Sequence, residues 1–136
     1  MTRHPHPPAD MVTPLYAALL TLLFLGLSFR ALLLRRKHGV GVGTGGNPTL
    51  EKALAAHSNC AEYLPLALLL LYMLEVQTGT GLTVHALGVA LVIGRCLHAY
   101  GVSQVDEDYR FRVAGMVLTL SCLIGAAWRL ATSALG

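Results

Sequence analysis

Charged residues are scarce in this chain and make up only 12% of its 136 residues, about half of the roughly 25% that is usual in soluble domains. Apolar residues make up 54%. A soluble domain of this length keeps much of its surface in water, so it could not bury so much apolar surface. The composition therefore excludes an ordinary soluble domain and indicates a protein embedded in lipid.

Cysteine is also scarce, with an odd count of three. Cys60, Cys96 and Cys122 fall singly in apolar segments, without the paired spacings of a disulfide framework or a zinc site. We expect three buried thiols and no metal site. The net charge is only +3, and no run of basic residues is interleaved with aromatic ones, which argues against nucleic acid as a partner.

Four long apolar stretches are present instead. Each can cross a hydrocarbon core of about 30 Å as a helix, because a helix rises about 1.5 Å per residue. The stretches lack the alternation of barrel strands, and backbone groups in lipid must be satisfied internally. The predicted fold is all-α, a transmembrane four-helix bundle over residues 11–136, after a proline-rich tail at residues 1–10 that we expect to be disordered. The predicted spans are Met11–Leu34, Ala53–Val76, Leu82–Val102 and Val113–Leu135.

Basic residues predict the direction of these spans. Because the number of spans is even, the connections after the first and third spans lie on the same side of the membrane. Basic loops favour the cytoplasm, so we expect these two connections inside and both termini outside. The basic residues concerned are Arg35, Arg36, Lys37, Lys52, Arg110 and Arg112.

Polar residues interrupt the apolar stretches at one depth. Asn59 and Glu62 are three residues apart in the second span, and Arg95 and His98 are three apart in the third. Each pair therefore shares a helix face. A charge at the centre of a membrane helix costs about 2.5–3.5 kcal/mol, so such residues are expected to face partners. With the predicted direction, all four lie toward the cytoplasmic end, where Arg112 opens the fourth helix.

Two interpretations of this cluster remain open. Glu62 could pair with Arg95 and hold two helices together. Alternatively, the surplus of arginine around one carboxylate indicates an anionic ligand with a cationic group, since the guanidinium fork suits carboxylates. Away from the cluster, we expect Glu75 and the loop residues 106–108 to be solvated.

Three motifs resemble one known family. Asn59-Cys60-Ala61-Glu62-Tyr63-Leu64-Pro65 resembles the N-x-x-E-x-x-P signature of the membrane-associated proteins in eicosanoid and glutathione metabolism (MAPEG), in its leukotriene C4 synthase version. Gly94-Arg95-Cys96-Leu97-His98 is similar to the G-R-x-x-H of the microsomal prostaglandin E synthase members, and Phe111-Arg112-Val113-Ala114 resembles the family's arginine that opens the fourth helix. With the Arg35-Arg36 pair closing the first helix, the resemblance covers about residues 12–135.

The resemblance implies a homotrimer that binds glutathione, as co-substrate, between neighbouring subunits near the cytoplasmic face. Arg112 would be catalytic, because a nearby cation lowers the pKa of a thiol and the thiolate is the nucleophile. Glu62 would bind the ammonium group of glutathione. The full set of implied glutathione-binding residues is Arg36, Asn59, Glu62, Tyr63, Arg95 and His98.

The expected function is a microsomal-type glutathione transferase or peroxidase that takes hydrophobic small molecules or lipids from a bacterial inner membrane. Two positions depart from the family pattern, since Ala55 replaces an arginine and Val102 a tyrosine. The first alternative is a non-catalytic membrane protein that binds lipid or thiol. The second is a small transporter or channel subunit, although polarity at mainly one end argues against a polar path across the bilayer.

Overall fold

The computed structural model describes residues 10–136, which form four α-helices and no strand. The helices are α1 (Thr13–His38), α2 (Pro48–Thr78), α3 (Leu82–Ser103) and α4 (Tyr109–Leu135). All four are long and apolar enough to cross a membrane. The predicted all-α fold with four membrane-spanning helices is thus confirmed, while the predicted disordered tail lies, except for Asp10, outside the described residues.

The helices extend beyond the predicted apolar spans at the ends that carry basic residues. α1 continues to His38 and stops at Gly39, whose positive φ of 65° suits a left-handed cap. α2 begins at Pro48 because the side chain of Asn47 accepts a hydrogen bond from the Leu50 N–H at 2.9 Å. Hydropathy marks only the lipid-facing part of a helix, whereas capping residues set where the helix begins and ends.

The bundle is an up-and-down arrangement with two distinct ends. We call the end with connections 39–47 and 104–108 the basic end, and the end with the turn 79–81 the opposite end. α2 and α3 occupy the centre, because α2 contacts every other helix and α3 packs most extensively against α4. Within residues 10–136, no Cα atom of α1 lies within 8 Å of one in α4.

The outer surface of the single chain is largely apolar. Large hydrophobic side chains are exposed on every helix, among them Leu22, Leu69, Val89 and Ile124. A soluble monomer rarely exposes apolar surface on this scale, so the surface suits lipid or another protein. The buried core contains leucine and small residues, namely Leu20, Leu27, Ala56, Cys60, Leu64, Ala67, Leu91, Ala99, Val102 and Cys122.

The prediction for the cysteines was wrong at one position. Cys60 and Cys122 are buried in this core, as expected, but Cys96 is exposed. Arg95, the preceding residue, points into the bundle with 1% of its surface exposed. Adjacent helical residues cannot share a face, so the burial of Arg95 turns Cys96 outward.

The prediction that Glu75 is solvated was also wrong. Its side chain is fully buried at the opposite end, where its two oxygens accept the backbone N–H groups of Val12 at 2.7 Å and Thr13 at 2.8 Å. The Thr80 hydroxyl donates to the same carboxylate at 2.6 Å. The first N–H groups of a helix need acceptors, and Val12, at the N-cap of α1, has no side chain that can serve. Glu75 supplies that acceptor from α2.

Candidate functional site

The guanidinium of Arg95 is the centre of the polar cluster. Its Nε donates to Thr119 Oγ1 at 2.9 Å, and its Nη1 donates to Asn59 Oδ1 at 2.6 Å. Nη2 lies 3.2 Å from Met116 Sδ, and the guanidinium carbon is 5.4 Å from the ring centroid of Tyr63. All of these partners are neutral, so the buried positive charge is hydrogen-bonded without a counter-charge among them.

Close packing of α3 against α4 makes this arrangement possible. A Cβ at Gly94 would meet Leu118 Cβ at 2.9 Å and the Gly115 carbonyl at 3.0 Å. Glycine at this crossing lets the two backbones approach, as small residues do between membrane helices. The approach brings Thr119 to Arg95 and buries His98, which lies against Gly115 with 3% of its surface exposed.

The structure does not form the ion pair between Glu62 and Arg95, so this interpretation was wrong for the single chain. Within residues 10–136, the carboxylate that does form ion pairs is Glu107. Glu62 is exposed on the surface of α2, one turn after Asn59. In residues 10–136, Arg95 therefore has no carboxylate partner, and Glu62 has no cationic partner.

A second polar contact lies at the basic end. Lys52 Nζ donates to Glu107 Oε2 at 2.6 Å, and Arg112 Nη1 lies 3.5 Å from Glu107 Oε1. The Glu107 side chain is only 3% exposed, whereas that of Arg112 is 46% exposed, so the expectation of a solvated loop was wrong for Glu107. The hydrogen bond from Lys52, together with the charges of Lys52 and Arg112, lowers the pKa of Glu107 against the opposing effect of burial.

The predicted site residues thus differ in accessibility. Arg95 and His98 are buried, Asn59 and Tyr63 are half-buried, and Glu62, Arg36 and Arg112 are exposed. The chain brings Asn59, Tyr63 and Arg95 into direct contact. Arg36 and Glu62 join no hydrogen bond or ion pair formed by the described side chains, so their groups are open to a ligand.

Two grooves run between α1 and α2 next to these residues. The groove nearer the basic end, the polar groove, has a volume of about 400 Å³ and contains Arg35, His57 and Ser58. The other, the apolar groove, has a volume of about 370 Å³ and flanks Glu62, since Ala61 and Pro65 belong to its wall. The complete wall of the apolar groove consists of Thr21, Phe24, Ala61, Leu64, Pro65 and Leu68.

Arg35 lines the polar groove and also donates hydrogen bonds to the loop after α1. Its Nη1 donates to the carbonyl oxygen of Gly43 at 3.0 Å and lies 3.3 Å from that of Gly41. The loop carbonyls thereby occupy the guanidinium of Arg35, while the neighbouring Arg36 stays exposed. Of the two adjacent arginines, Arg36 is the one whose charge is available.

Sequence reasoning missed four partners of the cluster: Lys52, Glu107, Met116 and Thr119. One signal was present for Thr119, because Arg112, Gly115 and Thr119 are spaced by three and four residues and so share one face of α4. Met116 carries no such polar signal. Glu107 could not be told from its acidic neighbours, because burial of a loop carboxylate depends on where α2 places Lys52.

The arrangement is suited to a zwitterionic or anionic ligand. Arg36 and Arg112 offer exposed guanidinium groups for carboxylates or a thiolate, and Glu62 offers a carboxylate for a cation. The Asn59 amide is fixed by its short hydrogen bond to Arg95. The apolar groove adds a wall that would accept a hydrophobic molecule beside these charges.

Comparison with known proteins agrees with the motifs. The MAPEG family model matches residues 13–132. The inner membrane protein YecN of Escherichia coli strain K12 and that of E. coli O6:H1 strain CFT073 are each 36% identical over 114 residues, which cover 84% of this chain and 86% of theirs. The match therefore includes all four helices and the whole polar cluster, and the chain belongs to the MAPEG family.

Proposed function

We propose that the protein is a glutathione-dependent membrane transferase or peroxidase acting on hydrophobic electrophiles. The observation that carries the proposal is the unmatched pair of charges, with Arg95 buried among neutral partners and Glu62 exposed and unbonded. Glutathione has two carboxylates, one ammonium group and a thiol. Its charges complement exposed arginines and one exposed carboxylate.

Each group of glutathione has a counterpart in the cluster. Glu62 binds the ammonium group, and the amide of Asn59 donates to or accepts from the peptide backbone. Arg36 binds a carboxylate, while Arg95 and His98 form the floor of the site and Tyr63 its wall. The positive charge of Arg95 adds to the field that attracts the anionic ligand.

Arg112 is the proposed catalytic residue. A guanidinium near the glutathione thiol lowers the pKa of the thiol and increases the thiolate fraction. In a transferase reaction the thiolate forms a bond to an electrophilic carbon and displaces its leaving group. In a peroxidase reaction it attacks a peroxide oxygen, the O–O bond breaks and an alcohol leaves after protonation, and a second glutathione then converts the sulfenic acid to the disulfide and water. The hydrophobic reactant enters from the bilayer and lies against the apolar groove, whose wall adjoins Glu62.

A homotrimer would complete the site. A charged side chain facing lipid costs about 2.5–3.5 kcal/mol, and Glu62 is exposed on the apolar surface of α2. Covering this face with a second subunit removes the carboxylate from lipid and encloses the ligand between subunits. We propose the inner membrane as the location, consistent with the name of the E. coli relatives, with the basic end cytoplasmic and both termini outside.

A calorimetric titration of the purified protein with glutathione tests the proposal. The variants are Glu62→Gln and, as a matched control, Glu51→Gln, which removes an exposed carboxylate from the first turn of the same helix. We expect the wild type and Glu51→Gln to bind alike. Glu62→Gln should bind at least tenfold more weakly, since a charge-assisted hydrogen bond is worth about 1.5–3 kcal/mol.

Other outcomes would contradict the proposal. If the folded wild type does not bind glutathione, the cluster serves another ligand or a structural role. If glutathione binds but a generic electrophile is not conjugated and a hydroperoxide is not reduced, the non-catalytic alternative stands. Ala55 gives that alternative some support, because this exposed position of α2 carries no arginine.

A further inference from the structure

A third groove, between α1 and α3, is separate from the proposed glutathione site. It has a volume of about 440 Å³ and contains none of the residues assigned to glutathione. We call it the Arg30 groove. Its lining residues are Leu23, Leu27, Arg30, Cys96, Ala99, Tyr100, Ser103 and Gln104.

Arg30 is the single charged residue of this groove and is incompletely bonded. Its Nη2 donates to the carbonyl oxygen of Ser103 at 3.1 Å. Its Nη1 is buried and has no hydrogen-bond partner in the part of the chain that the structure describes. Both ion pairs found in residues 10–136 involve Glu107, so no described carboxylate neutralises Arg30. A nearby anion would offset the cost of burying an ionised, partly unsatisfied group of this kind.

The position of Arg30 indicates which anion is available. Ser103 is the last residue of α3, so the contact with its carbonyl holds Arg30 at the level where α3 leaves the bilayer. Head groups occupy this level of a membrane. Leu23 lies seven residues earlier on α1, about 10 Å deeper at the rise of a helix. The groove therefore has a cation at the height of the head groups and an apolar wall below it.

We propose that the Arg30 groove binds a phospholipid with a net negative head group. The phosphate accepts hydrogen bonds from Arg30, whose planar fork suits phosphate oxygens, and one acyl chain lies along Leu27 and Leu23. The apolar wall distinguishes this occupant from free phosphate, which has no chain to place there. The site is independent of glutathione, because it lies on a different face of α1.

Cys96 provides a built-in reporter of occupancy. It is exposed and lines the groove, whereas Cys60 and Cys122 are buried and serve as internal controls. The full-length protein in detergent is titrated with phosphatidylglycerol or with phosphatidylcholine of the same chains. Alkylation of Cys96 by N-ethylmaleimide is followed by mass spectrometry. We expect phosphatidylglycerol to protect Cys96 at about fivefold lower concentration, the effect of one arginine beside an anionic lipid.

Three variants separate Arg30 from general electrostatics. In Arg30→Gln, both lipids should protect Cys96 equally. In Arg30→Lys, phosphatidylglycerol should still protect better than phosphatidylcholine, but by a smaller factor. Arg110→Gln removes an exposed cation from the same end of the bundle, outside the groove, and should keep the full preference. If Arg30→Gln does not fold, the wild-type comparison and Arg30→Lys decide.

Several results would overturn the proposal. Equal protection of the wild type by both lipids is one, and an undiminished preference in Arg30→Gln is another. Stronger protection by a free fatty acid than by phosphatidylglycerol would assign the groove to a carboxylate instead. Protection that rises with protein concentration and ignores lipid would assign it to a second copy of the chain.

Discussion

Two carboxylates on one helix behave in opposite ways. Glu75, near the opposite end of α2, is fully buried and accepts hydrogen bonds from Val12, Thr13 and Thr80. Glu62, thirteen positions earlier, is exposed and joins no described hydrogen bond or ion pair. A glutamate therefore has its hydrogen-bond partners within the described chain at position 75 and has none there at position 62.

The difference extends to the ends of the bundle. At the opposite end, the hydroxyl of Tyr16 lies 2.9 Å from His85 Nδ1, and Glu75 accepts the first N–H groups of α1, so these side chains have partners within the described chain. At the basic end, Arg36 is exposed and the Arg112 side chain is 46% exposed. Polar groups that a chain satisfies internally contribute to stability, whereas groups left open indicate binding.

The largest expected effect is on turnover, from Arg112→Ala. If Arg112 stabilises the thiolate, its loss should reduce the rate of glutathione conjugation about 100-fold or more, in the range seen when one charge-stabilising donor is removed. Glutathione binding should largely survive, because Glu62 and Asn59 remain. Stopped-flow measurement of the thiolate absorbance, beside calorimetry, checks both parts.

Arg110→Gln is the control for this change, since it removes a neighbouring exposed cation. Turnover in Arg112→Ala equal to that of Arg110→Gln would remove Arg112 from the mechanism. A large loss of thermal stability in Arg112→Ala would contradict the contrast between the two ends of the bundle. It would show that Arg112, at the basic end, stabilises the fold.

The next largest effect is on stability, from Glu75→Gln. The new amide nitrogen must face backbone N–H groups that the carboxylate accepted, so buried donors lose their acceptor. We expect a loss of about 2–3 kcal/mol, the cost of an unsatisfied buried hydrogen bond to a charged group. Without glutathione, the same substitution at Glu62 should change stability by less than about 0.5 kcal/mol, because in the proposed site the partner of its carboxylate is the ligand. Thermal unfolding in detergent measures both.

The isosteric variants Glu62→Gln and Glu75→Gln test the contrast between the two carboxylates directly. Glu75→Gln should bind glutathione normally in the fraction that remains folded, and Glu62→Gln should bind weakly while unfolding like the wild type. If Glu62→Gln unfolds as early as Glu75→Gln, Glu62 has a structural partner, such as a neighbouring subunit. If Glu75→Gln alone weakens binding, the two ends are coupled.

The sequence predicted the parts of this pattern that depend on hydropathy and spacing. Four helices and the convergence of Asn59 with Arg95 follow from apolar runs and from residues three apart. The partners of Glu75 and Arg95 do not, because they depend on how helices distant in sequence pack. Glu75 was misread since its acceptor role arises from the uncapped start of α1, sixty-two residues before it.

Residue identity also could not predict which polar groups stay open. Arg35 and Arg36 are equivalent in the sequence, yet Arg35 donates to loop carbonyls while Arg36 is exposed. Glu62 and Arg95 have opposite charges and were expected at one depth. Arg95 instead donates its hydrogen bonds to Asn59 and Thr119. The choice follows from the close α3–α4 crossing at Gly94, which a single sequence does not specify.

The smallest expected effect is on stability, from Glu107→Gln. Glu107 is the carboxylate at the basic end that forms ion pairs within the described chain. Its carboxylate is held by Lys52 at 2.6 Å, and its pKa is lowered in the folded state. A lowered pKa means that the ionised form stabilises the fold above the ordinary carboxyl pKa of about 4.3, and that this contribution disappears as the pH falls through the folded pKa. Glu107→Gln should therefore lower stability at neutral pH by about 0.5–1 kcal/mol, since both cationic partners are partly exposed.

The pH dependence distinguishes this contact from a general change of charge. The gap between the wild type and Glu107→Gln in thermal unfolding should close as the pH falls below the ordinary carboxyl pKa and through the lowered pKa of the folded-state carboxylate. Asp106→Asn removes an exposed neighbouring charge and should leave stability unchanged at neutral pH. A difference in stability that persists in acid would mean that Glu107 acts through packing. No difference at neutral pH would mean that the Glu107 carboxylate does not stabilise the fold. Either result would change the role assigned to Lys52, because this residue joins α2 to the α3–α4 connection through a short ion pair.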